Sequence, residues 1–303
     1  MIVINLMGGL GNQMFQYAAA RHLAIIHDTE LRIDGTRFAK LTANKEHTLQ
    51  LENFNIGARQ ANPDEIQQLC GSATTLGRMK NFLRKVSGKV SGAAAGYVYH
   101  EPEGSQFKAE FFGLDKEKYL IGYFNSYKYF DPAKNVLIRE FTPKTSISEQ
   151  GQSITRLIEA TNSVSIHIRR GDYVANPEVY KCIEGIITER YYRNAIEYVA
   201  TRIESPHFFV FSNDMCWVKE NFKIPHEVTY VDFNSPQRGF EDLWLMSRCK
   251  HNILAGGSTF SWWAAYLNPN SEKIVVRTEN VSNDPLYNCP EDYFPHDWVT
   301  VAS

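Results

Sequence analysis

Ile2-Val3-Ile4-Asn5-Leu6-Met7-Gly8-Gly9-Leu10-Gly11-Asn12-Gln13 opens the chain as a strand, a glycine-rich turn and the approach to a helix. The apolar run Ile2–Leu6 suits a strand buried on both faces. Gly8, Gly9 and Gly11 permit the tight reversal that follows, and apolar residues at Met14, Ala18, Leu23 and Ile26 mark a helix over residues 13–27. Leu31-Arg32-Ile33-Asp34 is the next strand, which completes a βαβ unit and predicts a parallel sheet.

The same rhythm continues downstream. Tyr119–Phe124 reads as a strand, with Asn125 and Ser126 capping the turn after it. Strands are expected at 163–168, 207–211, 229–232, 252–255 and 273–276, and helices at 189–202, 215–221, 240–249 and 260–267. Phe141–Gln152 carries Pro143, Thr145, Ser146, Ser148 and Gly151 and reads as a boundary. The expectation is an α/β protein of two lobes facing a cleft, residues 1–150 and 151–303. Residues 71–96, rich in Gly, Ser and Ala with spaced Arg and Lys, predict a partly helical, mobile insertion. A solvated basic helix is the preferred reading there. A membrane-surface helix is the alternative, giving peripheral association without stable membrane insertion.

Composition narrows the function classes. A chain of 303 residues has room for two cores, and a formal net charge of −2 gives no electrostatic footprint for nucleic acid. Cys70, Cys182, Cys216, Cys249 and Cys289 are odd in number and scattered, which favours reduced thiols and a cytoplasmic protein. Neither CxxC nor HExxH spacing occurs, so no metal site is expected. No segment has the length of a membrane-spanning helix.

Four stretches carry chemistry at strand ends. The turn at Gly8–Gln13 offers orphan N–H groups and a helix dipole to an anion. Met14 stands where a dinucleotide fingerprint needs its third glycine, although Asp34 is placed like a ribose-binding acid. Asn12 and Gln13 can hydrogen-bond phosphate or sugar oxygens, and Asn12 equally suits a plain N-cap. Ser165-Ile166-His167-Ile168-Arg169-Arg170-Gly171-Asp172-Tyr173 ends a strand on two guanidiniums, which fit a diphosphate clamp or a surface ion pair. Phe211-Ser212-Asn213-Asp214 offers one helix cap and two further polar contacts. Glu241 and Asp242 begin a helix, where one acid answers the dipole and the other can accept the N1 and N2 donors of guanine. Ala255-Gly256-Gly257-Ser258-Thr259-Phe260-Ser261-Trp262-Trp263 forms a second anion cradle, with the tryptophans read as core. Together these suit a nucleoside diphosphate neutralised by arginine rather than by a metal.

His167-Ile168-Arg169-Arg170-Gly171-Asp172 matches the H-x-R-R-x-D motif of the α-1,2-, α-1,6- and protein O-fucosyltransferases. With Gly8–Tyr17, Gly122–Ser126, Phe211–Asp214 and Ser258–Trp263, the chain resembles glycosyltransferase family 11, the bacterial α-1,2-fucosyltransferases, from Met1 to about Pro295. The resemblance implies a GT-B-like fold of two Rossmann-type lobes. It also implies GDP-β-L-fucose as donor, a galactose-containing acceptor, inversion to an α-fucoside and no metal or other cofactor.

Carried over by position, Arg169, Asn12 and Asp172 would be catalytic. His167, Arg170, Gly9, Gly11, Asn213, Asp214, Asp242, Ser258, Thr259 and Ser261 would bind the donor, His167 and Asp242 at the guanine. Ala255-Gly256-Gly257 departs from the small polar residues expected before Ser258. The base is either Asp172 or the departing β-phosphate. Competing readings are a fucosyltransferase of other linkage, a nucleotide-dependent oxidoreductase on the first βαβ unit, and a non-catalytic glycan-binding module.

Overall fold

The computed structural model describes residues 1–40, 48–70, 96–171 and 176–303. Most of the expected basic insertion, and Asp172, lie outside the described residues. The chain forms two compact units. The first comprises Met1–Leu49, Ile56–Glu103 and Phe107–Glu140, the second Gln50–Asn55, Gly104–Gln106 and Phe141–Ser303. The expected division after residue 150 falls inside the helix Glu149–Ala160. That helix is capped by Ser148, whose hydroxyl accepts the Gly151 N–H at 3.0 Å. Phe141 is already anchored in the second unit, its ring edge-on to Trp263 at 5.0 Å and to Phe54 at 5.9 Å.

The first unit holds strands β1 (Ile2–Asn5), β2 (Leu31–Asp34), β3 (Arg59–Gln60), β4 (Val98–His100) and β5 (Lys118–Ile121). Their order is β3-β2-β1-β5-β4 and every pairing is parallel. Ile2, Val3 and Ile4 are wholly buried, as a central strand covered on both faces requires. The helix Leu10–Ile26 starts earlier than its apolar spacing predicts, so Gly11 and Asn12 lie inside its first turn and Gly9 takes the N-cap position. Its small residues Ala18, Ala19 and Ala20 are all buried and let the helix lie close to its neighbours. It closes through Asp28 in the left-handed region (φ 45°), with the Thr29 N–H bonded to Ala24 O at 3.0 Å.

The second unit holds β6 (Asn162–Ile168), β7 (Pro206–Ser212), β8 (Glu227–Val231), β9 (His251–Ile253), β10 (Val275–Arg277) and β11 (Val299–Thr300). The order β11-β10-β9-β6-β7-β8 is again fully parallel. Counted from β6 this is the doubly wound order 3-2-1-4-5-6, with its switch point between β6 and β9. In the first sheet the order reverses between β1 and β5. Each unit is thus a Rossmann-type α/β layer, as the GT-B-like expectation requires of each half.

The alternation in β6 does not mark an inside and an outside face. Ser163, Ser165 and His167 are buried along with Val164, Ile166 and Ile168. The polar members are satisfied from neighbouring elements: Ser165 Oγ accepts from Asn252 Nδ2 at 2.7 Å and Ser163 Oγ from the Lys250 N–H at 3.1 Å. Trp262 and Trp263 are fully buried, Trp262 Nε1 donating to Tyr293 O at 2.8 Å, and belong to the core as expected. Among the described residues no helix is long and apolar enough to cross a membrane.

Candidate active site

Loops at the carboxyl ends of β6, β7 and β9 meet the switch point of the second sheet, where an open parallel sheet leaves a crevice for ligands. His167 is buried within the end of β6. Its carbonyl accepts the Tyr192 hydroxyl at 2.9 Å and its ring lies 5.5 Å from that of Phe260. Arg169 is the first residue past the strand and is partly exposed.

Arg170 is held differently. Its guanidinium lies 3.8 Å from the centroid of the Trp217 ring, and its Nε is 3.6 Å from Asp214 Oδ2. Of the two arginines, Arg170 makes an ion pair with Asp214, and Arg169 stands at the strand end.

The polar trio after β7 fastens this loop. Asn213 Oδ1 accepts the N–H groups of Arg170 at 2.9 Å and Gly171 at 3.2 Å. Asp214 caps the helix Met215–Asn221 by accepting the Trp217 N–H at 3.3 Å, and Ser212 Oγ accepts the Asp214 N–H at 3.0 Å. Asn213 and Asp214, both expected at the donor, hold the loop at Arg170 and Gly171 and the helix that follows.

The cradle after β9 is built from main chain. Gly256 has φ +50°, and a Cβ at Gly257 would lie 2.7 Å from the backbone oxygen of Val281. The two glycines, the departure noted in the sequence, are what this turn and close approach demand. Ser261, also expected at the donor, is fully buried: its Oγ accepts the Ala255 N–H at 3.2 Å and donates to Ser258 O at 3.4 Å. It braces the loop. Ser258 begins the helix Thr259–Leu267, and its buried Oγ has no hydrogen-bond partner among the described residues. Thr259, the first helical residue, is partly exposed. Ser258, Thr259 and the helix N-terminus thus remain for an anion.

The two acids at the start of the helix Gly239–Arg248 have separate fates. Glu241 is wholly buried, accepting the N–H (3.1 Å) and hydroxyl of Ser148 and pairing with Arg238. Asp242 accepts from Asn234 Nδ2 at 2.7 Å. Burial, with some help from the Glu241 charge, pushes its carboxyl up to about 6.

In the first unit, Gly8 has φ +76° and Gly9 faces open space. Asn12 sits in the first helical turn, partly exposed, and its side chain makes no hydrogen bond among the described residues, so it is not the N-cap. Gln13 is committed to structure: its Nε2 donates to Gly8 O at 3.0 Å and Thr48 O at 2.9 Å. Gln16, which sequence reasoning passed over, accepts the Met7 N–H at 3.0 Å and donates to Met7 O at 3.2 Å. Asp34 accepts the Tyr119 hydroxyl at 2.5 Å and the Thr36 N–H at 2.9 Å. It is a buried fastener of β1, β2 and β5, which removes the ribose-binding acid an oxidoreductase would need. Among the described residues no group of three or more His, Cys, Asp or Glu could hold a metal ion.

The glycosyl transferase family 11 model matches residues 92–302. An alpha-1,2-colitosyltransferase of Escherichia coli is 32% identical, the alignment covering 99% of this chain and 98% of that protein. The O-antigen biosynthesis glycosyltransferase WbnK of Escherichia coli is 30% identical over 89% of this chain and 91% of its own length. Galactoside alpha-(1,2)-fucosyltransferase 2 of Hylobates lar is 30% identical over 61% of this chain and 55% of its own length. Among solved structures, NodZ alpha-1,6-fucosyltransferase soaked with GDP-fucose aligns with a TM-score of 0.49 at 14% identity, covering 88% of this chain and 92% of that one. With the family match spanning most of the second unit and a full-length relative above 30% identity, the chain belongs to glycosyl transferase family 11.

Proposed function

We propose that the protein transfers L-fucose from GDP-β-L-fucose to the 2-hydroxyl of a terminal β-galactoside, with inversion to an α-1,2 linkage and without a metal. The observation that carries this reading is the pair of loops at the β6/β9 switch point, one bearing Arg169 and the other a glycine-built cradle opening at Ser258. Displacement at the fucose anomeric carbon passes through oxocarbenium character, and the departing GDP gains negative charge. Arg169, the Ser258 hydroxyl and the Thr259 N–H supply fixed positive potential to that diphosphate. The reaction is assigned to the cytoplasm, in keeping with five free thiols.

Asp242 is the proposed acceptor for guanine. Its carboxyl must be ionised to accept two N–H donors, and burial holds it near 6. GDP affinity should therefore be steady above pH 7 and weaken as pH falls through about 6, approaching tenfold per unit below that. Calorimetric titration of GDP between pH 5 and 8 measures this, and Asp242→Asn should abolish the dependence.

A second donor deserves weight because one full-length relative is a colitosyltransferase. Colitose is L-fucose lacking the 3-hydroxyl, so the diphosphate and guanine contacts serve either sugar. The deciding experiment supplies GDP-fucose or GDP-colitose with a β-galactoside such as lactose and reads the linkage by NMR. An α-1,2-fucoside is expected. Turnover of GDP-colitose alone replaces the donor, and failure to bind GDP removes the reading altogether.

A further inference from the structure

Two adjacent tyrosines carry no role assigned so far, and their hydroxyls end on the two loops of the candidate site. Tyr192 Oη donates to His167 O at 2.9 Å, and Tyr191 Oη donates to Leu254 O at 2.8 Å. His167 stands two residues before Arg169, and Leu254 directly before the cradle Ala255-Gly256-Gly257-Ser258. All of these residues belong to the second unit. Both tyrosines are buried, and their ring centroids lie 5.1 Å apart.

The bonds fall where the sheet stops supporting itself. The last registered pair between β6 and β9 is Ile166 with Ile253, and past it the two chains part at the switch point. One helix takes over there, because Tyr191 and Tyr192 share the first turn of Glu189–Ala200. Thr188 caps that turn, its hydroxyl accepting the Tyr191 N–H at 3.0 Å. The residue before the cap also meets the cradle, since a Cβ at Gly256 would lie 2.7 Å from Ile187 Cγ1. Tyr191 Oη lies 3.2 Å from Val276 O as well, but that carbonyl already accepts the Leu254 N–H at 2.9 Å, and the shorter contact is to Leu254 O. Burial raises the Tyr191 hydroxyl well above its ordinary value, which keeps it a donor at working pH.

We propose that Tyr191 and Tyr192 are positioning residues of the donor site, holding the strand end before Arg169 and the strand end before the cradle at one fixed separation. This rests on the transferase reading above and adds the device that sets the span of its diphosphate clamp. Preorganised donors act at the separation they are built to, and a misplacement of about 1 Å can cost 100-fold in rate. Buried as they are, the two hydroxyls meet no substrate. Each acts through the carbonyl it holds.

Tyr192→Phe keeps the ring and removes the bond to His167 O. With whichever GDP-sugar the wild type uses, kcat for transfer should fall about 10- to 100-fold, while the GDP dissociation constant stays within about threefold. In an Arg169→Ala background the same substitution should cost less than about threefold, because the group it positions is gone. Tyr191→Phe should instead weaken GDP binding about tenfold, its bond being on the cradle side. Val199→Ala is the control. It hollows the same buried core on the same helix, about 10 Å further along the axis. It should lower the melting temperature and leave kcat and GDP affinity as they are.

A Tyr192→Phe kcat within about threefold of wild type overturns the proposal, as does an undiminished Tyr192→Phe effect in the Arg169→Ala background. So does a Tyr191→Phe enzyme that binds GDP as the wild type does. A Tyr192→Phe chain that no longer folds, or a Val199→Ala enzyme that loses as much kcat at a matched fall in melting temperature, also overturns it and leaves both tyrosines as parts of the core. A wild type that turns over neither GDP-fucose nor GDP-colitose refutes the transferase reading and takes this proposal with it. An active wild type matched by Tyr192→Phe refutes this proposal alone.

Discussion

Arg169→Ala is expected to transfer sugar about 100- to 1000-fold more slowly than wild type, the cost of losing one preorganised donor to a developing anion. The loss should fall on kcat more than on GDP affinity, because charge on the diphosphate grows as the glycosidic bond breaks. Arg169→Lys should recover only part of it, since an ammonium cannot span two phosphate oxygens as a planar fork does. The neighbouring residue provides the contrast. Arg170 is occupied by the Trp217 ring and Asp214, so Arg170→Ala should loosen the loop that Asn213 fastens and raise KM for the donor. Steady-state kinetics on the two variants tests the proposal that Arg169 meets the phosphate while Arg170 holds the loop.

The second large effect lies in stability. Glu241 is wholly buried while the Arg238 side chain is 40% exposed, yet the exposed member is the one whose removal should hurt more. Arg238→Met leaves a buried anion with Ser148 as its remaining partner, and breaking such a pair costs about 3–5 kcal/mol. Glu241→Gln keeps an oxygen for Ser148 and gives up the charge, so it should cost about 1 kcal/mol. The carboxylate cannot shift easily to compensate, because it already occupies the space a Cβ at Gly151 would need (2.2 Å from Oε1). Urea unfolding of both variants measures the order, and a milder Arg238→Met would show that water reaches the site after all.

The fold was legible because its signals are local and repeated. Apolar runs ending in glycine and polar residues announced β1, β2, β6, β7 and β9, and the helix Met215–Asn221 was read with its observed ends. Short edge strands were not: Arg59–Gln60, Val98–His100 and Val299–Thr300 are too brief to show a period and exist through their neighbours.

The site was legible in its location but not in its division of labour. Arg169, Arg170, Asn213, Ser258 and Ser261 look alike as polar residues after strands. Which of them meets solvent and which meets backbone is decided by packing, as when Ser261 Oγ lies within 3.2 Å of the Ala255 nitrogen.

The polar side chains that tie the strand-end loops to themselves have a consequence for redesign. Gln13, Asn213 and Ser261 spend their hydrogen bonds on main-chain atoms, so replacing them deforms the surface instead of recolouring it. Asn12 and Thr259 hold no such segment and stand partly open. An engineer wishing to teach the enzyme a different nucleotide sugar should diversify that second set and leave the first untouched, because the library will then vary what the loops present while every member keeps the loops themselves.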